Sequence, residues 1–558
     1  MILLLAGLAG ASPLPDILQA ELDRAMNALS EHDEPPYHVA LQVEDRQEVR
    51  LSARDGAIVM ERSDRSRWLD VDMRVGSVQL DNTHPLRGFS SLDGDSRSEV
   101  SLPLDDGYAL RHTLWRELDR AYRDASERIV VLRANQSVLV EEEDRAPDFS
   151  MRQPEIAEVE ITATEVDIAA WRELLARAST HLTKAPDVHA GALSLSSVHS
   201  TKTFVDTEGT RLVHGRTHAR LSFSVSTTAE DGDMITVYDA IDVHDPADLP
   251  ADVVEERTQR AIERLAALRT APRGEPYSGP VILSGRSAGV FFHEVFGHRV
   301  EGHRQKREDE GKTFADHVGR PILPDWVDVY DDPRLDTLHG IDLNGHYAFD
   351  DEGVPAMRAE LVEDGTFVGF LMSRSPLADF PETNGHGRRS SGSWPAARMG
   401  NTIIEPAKTV PTAELRRRLI AELKTQGLEY GYLVEEIEGG FTLTGRITPN
   451  AFNVRATSSR RIFADGRPDE LVRGIDLVGT PFVAFSNLIA AGDDPEVFNG
   501  ICGAESGWVP VSAVAPSMLF SRLEFQLKEK GQERPPLLPK PTAGGDGAAD
   551  AAAAGADQ

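Results

Sequence analysis

Phe291-Phe292-His293-Glu294-Val295-Phe296-Gly297-His298-Arg299-Val300-Glu301-Gly302-His303 sets two imidazoles either side of a carboxylate, directly after apolar residues able to carry them into a protected cleft. Imidazoles are the commonest ligands of a catalytic divalent metal, and a neighbouring carboxylate is the usual base for the water that such a metal activates. The spacing limits that reading. In the helical H-E-x-x-H pattern the histidines stand at i and i+4 on one face, whereas His293 and His298 are separated by one step more. On an ideal helix five steps put side chains about 140° apart. Two-point binding here needs a non-ideal backbone: a π-bulge, or a helix that ends near Gly297. In a chain with 17 histidines, spacing alone leaves open a solvated surface pair as well as a ligand pair.

Working outward, Val281-Ile282-Leu283 precedes the stretch, and before that Ala271-Pro272-Arg273-Gly274-Glu275-Pro276 is a turn-rich connector that divides the chain. Upstream of it, helices are expected over Pro15–Leu29, Leu110–Ala125, Val166–Ala178 and Asp252–Leu268, from apolar residues at three- and four-residue steps. Period-two strands are expected around Tyr37–Val43 and Leu69–Val75, with Asp55-Gly56 as a hairpin signal. More strands run from Ala190 to Tyr238, turned at Glu208-Gly209. This half reads as an N-terminal mixed α+β domain over residues 12–270, without a catalytic cluster of its own. Downstream, short apolar runs punctuated by Asp351-Glu352-Gly353, Asp364-Gly365 and Asp465-Gly466 predict a β-rich domain over 271–534, a barrel or a sandwich of mainly antiparallel strands. One helix, Leu415–Leu423, interrupts it. The polar segment between Glu301 and Asp316 reads as mobile or surface-lying. Residues 535–558, Pro-rich and then Ala/Gly/Asp-rich, read as a disordered tail.

The formal charge of −32 over 558 residues argues against nucleic acid as a partner, since phosphate binding depends on clustered Lys and Arg. The single cysteine, Cys502, excludes a disulfide within the chain. It is either a small buried hydrophobe or a thiolate ligand. No stretch of 18 apolar residues is present, which argues against a membrane-spanning helix. Residues 1–11 resemble a signal-peptide remnant ending in Ala9-x-Ala11, but without a basic leader. A cytoplasmic location is expected, export to the periplasm being the alternative.

Several second-half segments, taken together, resemble the TldD/PmbA family of zinc metallopeptidases. They are Tyr277-x-Gly279-Pro280-Val281, His293-Glu294-x-x-Gly297-His298-x-x-Glu301-Gly302, Asn384-Gly385-x-Gly387-Arg388-Arg389, Arg398-Met399-x-Asn401-Thr402, Gly439-Gly440, and Cys502-Gly503 running to Gly507-x-Val509-Pro510-Val511. The first half contributes only Thr207-Glu208-Gly209 and its general layout. The resemblance implies one Zn2+ per chain held by His293, His298 and Cys502, with Glu294 as general base. It implies hydrolysis of peptide bonds in unfolded or short peptides by a metal-activated water. The retained HExxxH pattern and cysteine resemble the active TldD-type subunit, and such a subunit forms a homodimer or pairs with a PmbA/TldE-like paralogue. His303 where the family pattern is acidic, His386 inside the glycine-arginine loop, and Ala504-Glu505-Ser506 before Gly507 mark the chain as divergent. Arg388 and Arg389 are candidates to hold a peptide carboxylate or polarise a carbonyl, or else are structural ion pairs. Gly439 and Gly440 are candidates to admit a substrate backbone beside an edge strand. His303, His317 and His386 are either auxiliary ligands or isolated surface histidines. Two other functions stay open: a non-catalytic peptide-binding partner subunit, and a zinc amidase or deacylase.

Overall fold

The computed structural model describes residues 13–85, 99–136, 145–161, 165–307, 310–442, 444–445 and 451–529, with positions 531, 536, 538 and 540 beyond them. The apolar N-terminus, residues 1–11, and almost all of the expected tail lie outside the described residues. Of that tail, Lys540 donates to the carbonyls of Leu182, Ala185 and Val188 where the Ile168–Lys184 helix ends.

Two long hairpins organise the first half. Pro36–Arg54 pairs with Ala57–Val75 across Asp55-Gly56, and both turn residues have positive φ (51° and 86°), as a two-residue turn matched to strand twist requires. Ala190–Asp206 pairs with Arg211–Thr228, and joins the first hairpin through Pro36–Arg54 to give one antiparallel sheet, extended at Arg211–Thr228 by Met234–Val243. Helices Leu14–Leu29 and Tyr108–Gln136 bury Leu18, Leu22, Leu110, Leu114 and Leu118 against one stretch of this sheet. Helix Ile168–Lys184 buries Trp171 and Leu175 further along, and Val254–Thr270 packs its Leu265 and Leu268 beside Val225 and Val237.

The second half contains a closed five-stranded barrel. Its strands run Tyr430–Thr442, Tyr277–Leu283, Met518–Leu527, Ile475–Gly479, Phe452–Phe463, and the last pairs back onto the first. Closure leaves no free edge within that ring. A six-stranded sheet beside it ends in the hairpin Glu496–Ala504 and Gly507–Ala515, with Glu496–Ala504 as the edge strand. The helix Gly285–Val295 follows directly from the first barrel strand and lies between barrel and sheet, where Phe291 and Phe292 join the largest apolar core. Ser284 caps it, its hydroxyl accepting the Ser287 N–H. Gly289 allows close approach: a β-carbon there would stand 3.1 Å from the Ala513 carbonyl oxygen of the neighbouring strand.

The halves meet through buried polar groups. Gln42 donates to Asp351, Lys202 pairs with Asp351, and Arg216 donates to Asn344. Among the described residues no helix is long and apolar enough to cross a membrane.

Candidate metal centre

The helix Gly285–Val295 stops one residue short of Phe296, and a 3-10 turn, Gly297–Arg299, follows. That break resolves the five-residue spacing. His293 leaves from the last helical turn and His298 from the 3-10 turn, and their ring centroids lie 5.1 Å apart. Gly297 lets Met399 approach closely, since a β-carbon there would lie 2.0 Å from its Sδ and would force that side chain to move. Arg299 holds the break in place by donating to the Glu294 and Val295 carbonyls, which the helix end leaves free.

Cys502 arrives from the edge strand Glu496–Ala504. Its Sγ lies 3.2 Å from His293 Nε2 and 3.4 Å from His298 Nε2, and all three side chains are buried. The three donor atoms fall within 4.8 Å of one another. His298 Nδ1 faces Glu301 Oε2 at 3.3 Å. A carboxylate there fixes the imidazole with its proton on Nδ1 and its lone pair on Nε2, toward the sulfur. Glu301, fully buried, also accepts from Arg304 (2.9 Å) and Arg398 (3.1 Å). Arg398 donates in addition to Cys502 Sγ at 3.1 Å and to the Cys502 carbonyl. Burial alone would raise the thiol and the Glu301 carboxyl and lower His298. The imidazoles outweigh it for Cys502, which is held well below the usual thiol range. His298 and the arginines bring Glu301 down to about 2, and Cys502 with Glu301 raises His298. Two imidazole nitrogens and a polarised thiol, with the tautomer of one imidazole set by a buried carboxylate, form a donor set suited to a borderline-soft divalent ion such as zinc.

Glu294 is not one of these donors. Its Oε1 accepts the Gly440 N–H at 3.1 Å, from the barrel strand Tyr430–Thr442. Gly440 is therefore beside the centre through its backbone, and Gly439, at φ 148°, makes the adjoining bend. Arg388 and Arg389 are buried one layer away. Arg388 donates to the Met399 carbonyl and stacks over Tyr347, while Arg389 takes its backbone bond to Asp351 and faces Asp70 at 3.9 Å. Neither guanidinium touches the three donors. His303 pairs with Glu505, His386 is buried between Asp331 and Asn384, and His317 stacks on Phe482. The segment after Glu301 begins in the interior, not on the surface, since Arg304 and Gln305 are buried with Glu301. Arg398 and Glu301 are the contributors that spacing arguments pass over. Both lie inside the quoted motif segments, which was their one signal.

A second group of possible ligands, with one imidazole and two carboxylates in His38, Asp206 and Glu208, lies at the seam between the halves. Arg374 already stands 2.7 Å from Glu208 Oε2 there.

With this geometry in view, the comparisons are specific. A family model described as the PmbA/TldA metallopeptidase C-terminal domain matches residues 276–527, and its central-domain companion matches residues 161–265. The chain belongs to the TldD/PmbA family of metallopeptidases. A relative of this TldD/PmbA chain from Methanothermobacter thermautotrophicus, named a metalloprotease, is 27% identical over 375 residues, 63% of this chain and 73% of the relative. A zinc metalloprotease TldD homolog from Saccharolobus solfataricus is 22% identical over 317 residues, 54% of this chain and 64% of that protein. The crystal structure of TldE from Thermococcus kodakarensis shares the fold, with a TM-score of 0.56 over 92% of this chain and 100% of that one at 14% identity. The family resemblance expected from the motifs is thereby established, and with it a metallopeptidase-type function at family level.

Proposed function

We propose that this chain is a zinc peptidase that hydrolyses short or unfolded peptides, with His293, His298 and Cys502 as the metal ligands and Glu294 as the general base. The observation that carries the reading is the convergence of the three donor atoms within 4.8 Å from two distant parts of the chain. A zinc ion in such a set supplies Lewis acidity toward a peptide carbonyl.

The protein's own groups do the rest. Glu301 holds His298 in one tautomer, and Arg398 steadies the thiolate. The Gly440 N–H fixes one oxygen of Glu294 and leaves the other to take a proton from the attacking water and return it to the leaving amine. Pairing with a second copy or with a TldE-like paralogue is part of the proposal, supported by the fold shared with TldE.

The test is Glu294→Gln. Turnover of casein-derived peptides should fall by roughly 10²- to 10⁴-fold while bound zinc stays at the wild-type level. Undiminished turnover removes Glu294 from the reaction. If small acylated amides are hydrolysed and peptides are not, the chain is an amidase or deacylase instead. Chelator-insensitive peptide binding without any turnover returns it to the role of a partner subunit.

A further inference from the structure

The candidate ligands come from two segments that are held together differently at their two ends. The helix Gly285–Val295 runs along the hairpin of Glu496–Ala504 and Gly507–Ala515 from its base toward its tip. At the base, backbone packs on backbone: a β-carbon at Gly285 would lie 2.7 Å from the Ala515 carbonyl oxygen, and one at Gly289 3.1 Å from that of Ala513. The next strand of the sheet, Asn401–Pro406, pairs with the hairpin at Ser512, Ala513 and Val514. Past Ser512, toward the tip, the hairpin is a two-stranded arm of Gly500–Ala504 against Gly507–Val511, and Cys502 stands on that arm. A two-stranded arm is marginally stable by itself, so the place of the sulfur depends on what holds the tip.

At the tip the contacts are ionic. Glu505 and Ser506 form the turn, and Gly507 closes it at φ 86°. Glu505 meets His303 Nε2 through Oε1 and accepts from Arg304 at 3.0 Å through Oε2. His303 and Arg304 open the short helix His303–Lys306, soon after the 3-10 turn that carries His298. Arg304 also bonds Glu301 (2.9 Å), which faces His298, and Glu310 (2.9 Å). Arg398 completes a ring of bonds from the other side, through Glu301, the Ser506 hydroxyl (2.9 Å) and Cys502 Sγ. Burial would raise the Glu505 carboxyl, but His303 and then Arg304 hold it far below the usual carboxylate range. Glu301, His303 and Glu505 lie close enough together to ligate an ion of their own, yet Arg304 already bonds both carboxylates and supplies the positive charge.

Given the ligand set proposed above, on which this rests, we infer that His303 and Glu505 are a positioning pair for the metal: their contact clasps the tip of the arm to the segment that carries His298, and so holds the Cys502 sulfur against both imidazoles. Neither residue is a ligand. The clasp acts through Arg304 and Glu301 on one side and through the short stretch from Cys502 to Glu505 on the other, and its effect is on zinc affinity. An outer partner bonded directly to a metal ligand is worth roughly 10- to 100-fold in affinity. The clasp lies one contact further out, so about tenfold is expected.

The experiment strips the full-length chain of metal and measures its zinc affinity by competition with a chromophoric chelator, without substrate. His303→Ala and Glu505→Ala should each weaken zinc binding about tenfold. The double variant should lose no more than Glu505→Ala alone, because the shared contact is already gone. His303→Lys keeps a cationic donor opposite Glu505 and should retain most of the affinity. His303→Glu sets two carboxylates together and should lose more than His303→Ala. A general loss of fold would weaken the three variants at this position alike, so equal affinities in His303→Lys and His303→Glu overturn the proposal. So do wild-type affinity in both alanine variants and additive losses in the double variant. A second zinc per chain that disappears in His303→Ala also overturns it, because the three side chains would then be an ion site. The predicted order of zinc affinities, found in a chain that hydrolyses no peptide, refutes the peptidase reading and leaves the clasp standing.

Discussion

Among the described residues, two mostly buried groups of metal-competent side chains differ in their donor atoms and in what the neighbouring arginines touch. At the seam, His38 Nε2 stands 3.9 Å from Asp206 and 3.8 Å from Glu208, too far for hydrogen bonds. Each carboxylate spends its other oxygen on backbone N–H groups: Glu208 and Thr210 donate to Asp206, and Arg152 donates to Glu208. Arg374 closes the arrangement, against Glu208 Oε2 and over the Phe149 ring at 4.1 Å. The protein supplies its own positive charge there. At the other group Arg304 bonds Glu301, Glu310 and Glu505, while Arg398 bonds Glu301, Ser506 and both the sulfur and the carbonyl of Cys502 but neither imidazole. Two imidazoles and a thiol are a softer donor set than one imidazole and two carboxylates, so donor type separates the groups before the arginines are considered.

The sharpest way to break this comparison is to count bound zinc in single variants. Cys502→Ala should reduce it from one ion per chain to near none, since a thiolate is lost from a three-ligand site, and peptide hydrolysis should vanish with it. His38→Ala should leave the count unchanged. Atomic absorption on the purified chains reads both, and zinc lost from His38→Ala would erase the distinction. Next in size is the seam itself. Arg374→Met strands the buried Glu208 carboxylate and should cost about 3–5 kcal/mol in denaturant unfolding. A loss below 1 kcal/mol would mean that the seam charges are solvated.

The smallest effect concerns pH at the same seam. Burial, reinforced by Lys202, pulls His214 down to about 4. Between the ordinary histidine value of about 6.5 and that figure, the unfolded chain binds a proton that the native chain refuses. Stability from this residue is therefore complete above that window and falls as pH drops through it, by up to about 3 kcal/mol. Unfolding free energies at pH 7 and pH 4.5 should differ more for the wild type than for His214→Gln, and parallel curves would discount the residue.

Periodicity located the helices well. Pro15–Leu29 and Leu415–Leu423 correspond to Leu14–Leu29 and Thr412–Gln426. Leu110–Ala125 falls short of the helix, which runs from Tyr108 to Gln136 and continues the same apolar stripe through Ile129 and Leu132. The strand around Tyr37–Val43 extends to Arg54, through polar residues such as Glu44 and Arg46 that pair on both sides, with Ala57–Val75 and with Ala190–Asp206. Barrel closure was not legible, since the pairing of Tyr430–Thr442 with both Tyr277–Leu283 and Phe452–Phe463 is a long-range choice. Within the candidate centre His293, Glu294, His298 and Cys502 were readable as residues, whereas the support given by Arg398 and Glu301 was not.

The sequence by itself determined the inventory: which short-range segments coil or extend, which residues carry nitrogen, sulfur and carboxylate donors, and to which family the ordered motifs belong. These are local properties, set by side-chain chemistry and by periods of two or 3.6 residues. Only the tertiary structure decided that the helix breaks after Val295, that an edge strand brings Cys502 to both imidazoles, and that the turn beyond it sets Glu505 against His303. Each of those outcomes depends on groups far apart along the chain, whose meeting is fixed by the packing of barrel, sheet and helix and leaves no periodic trace in the residues themselves.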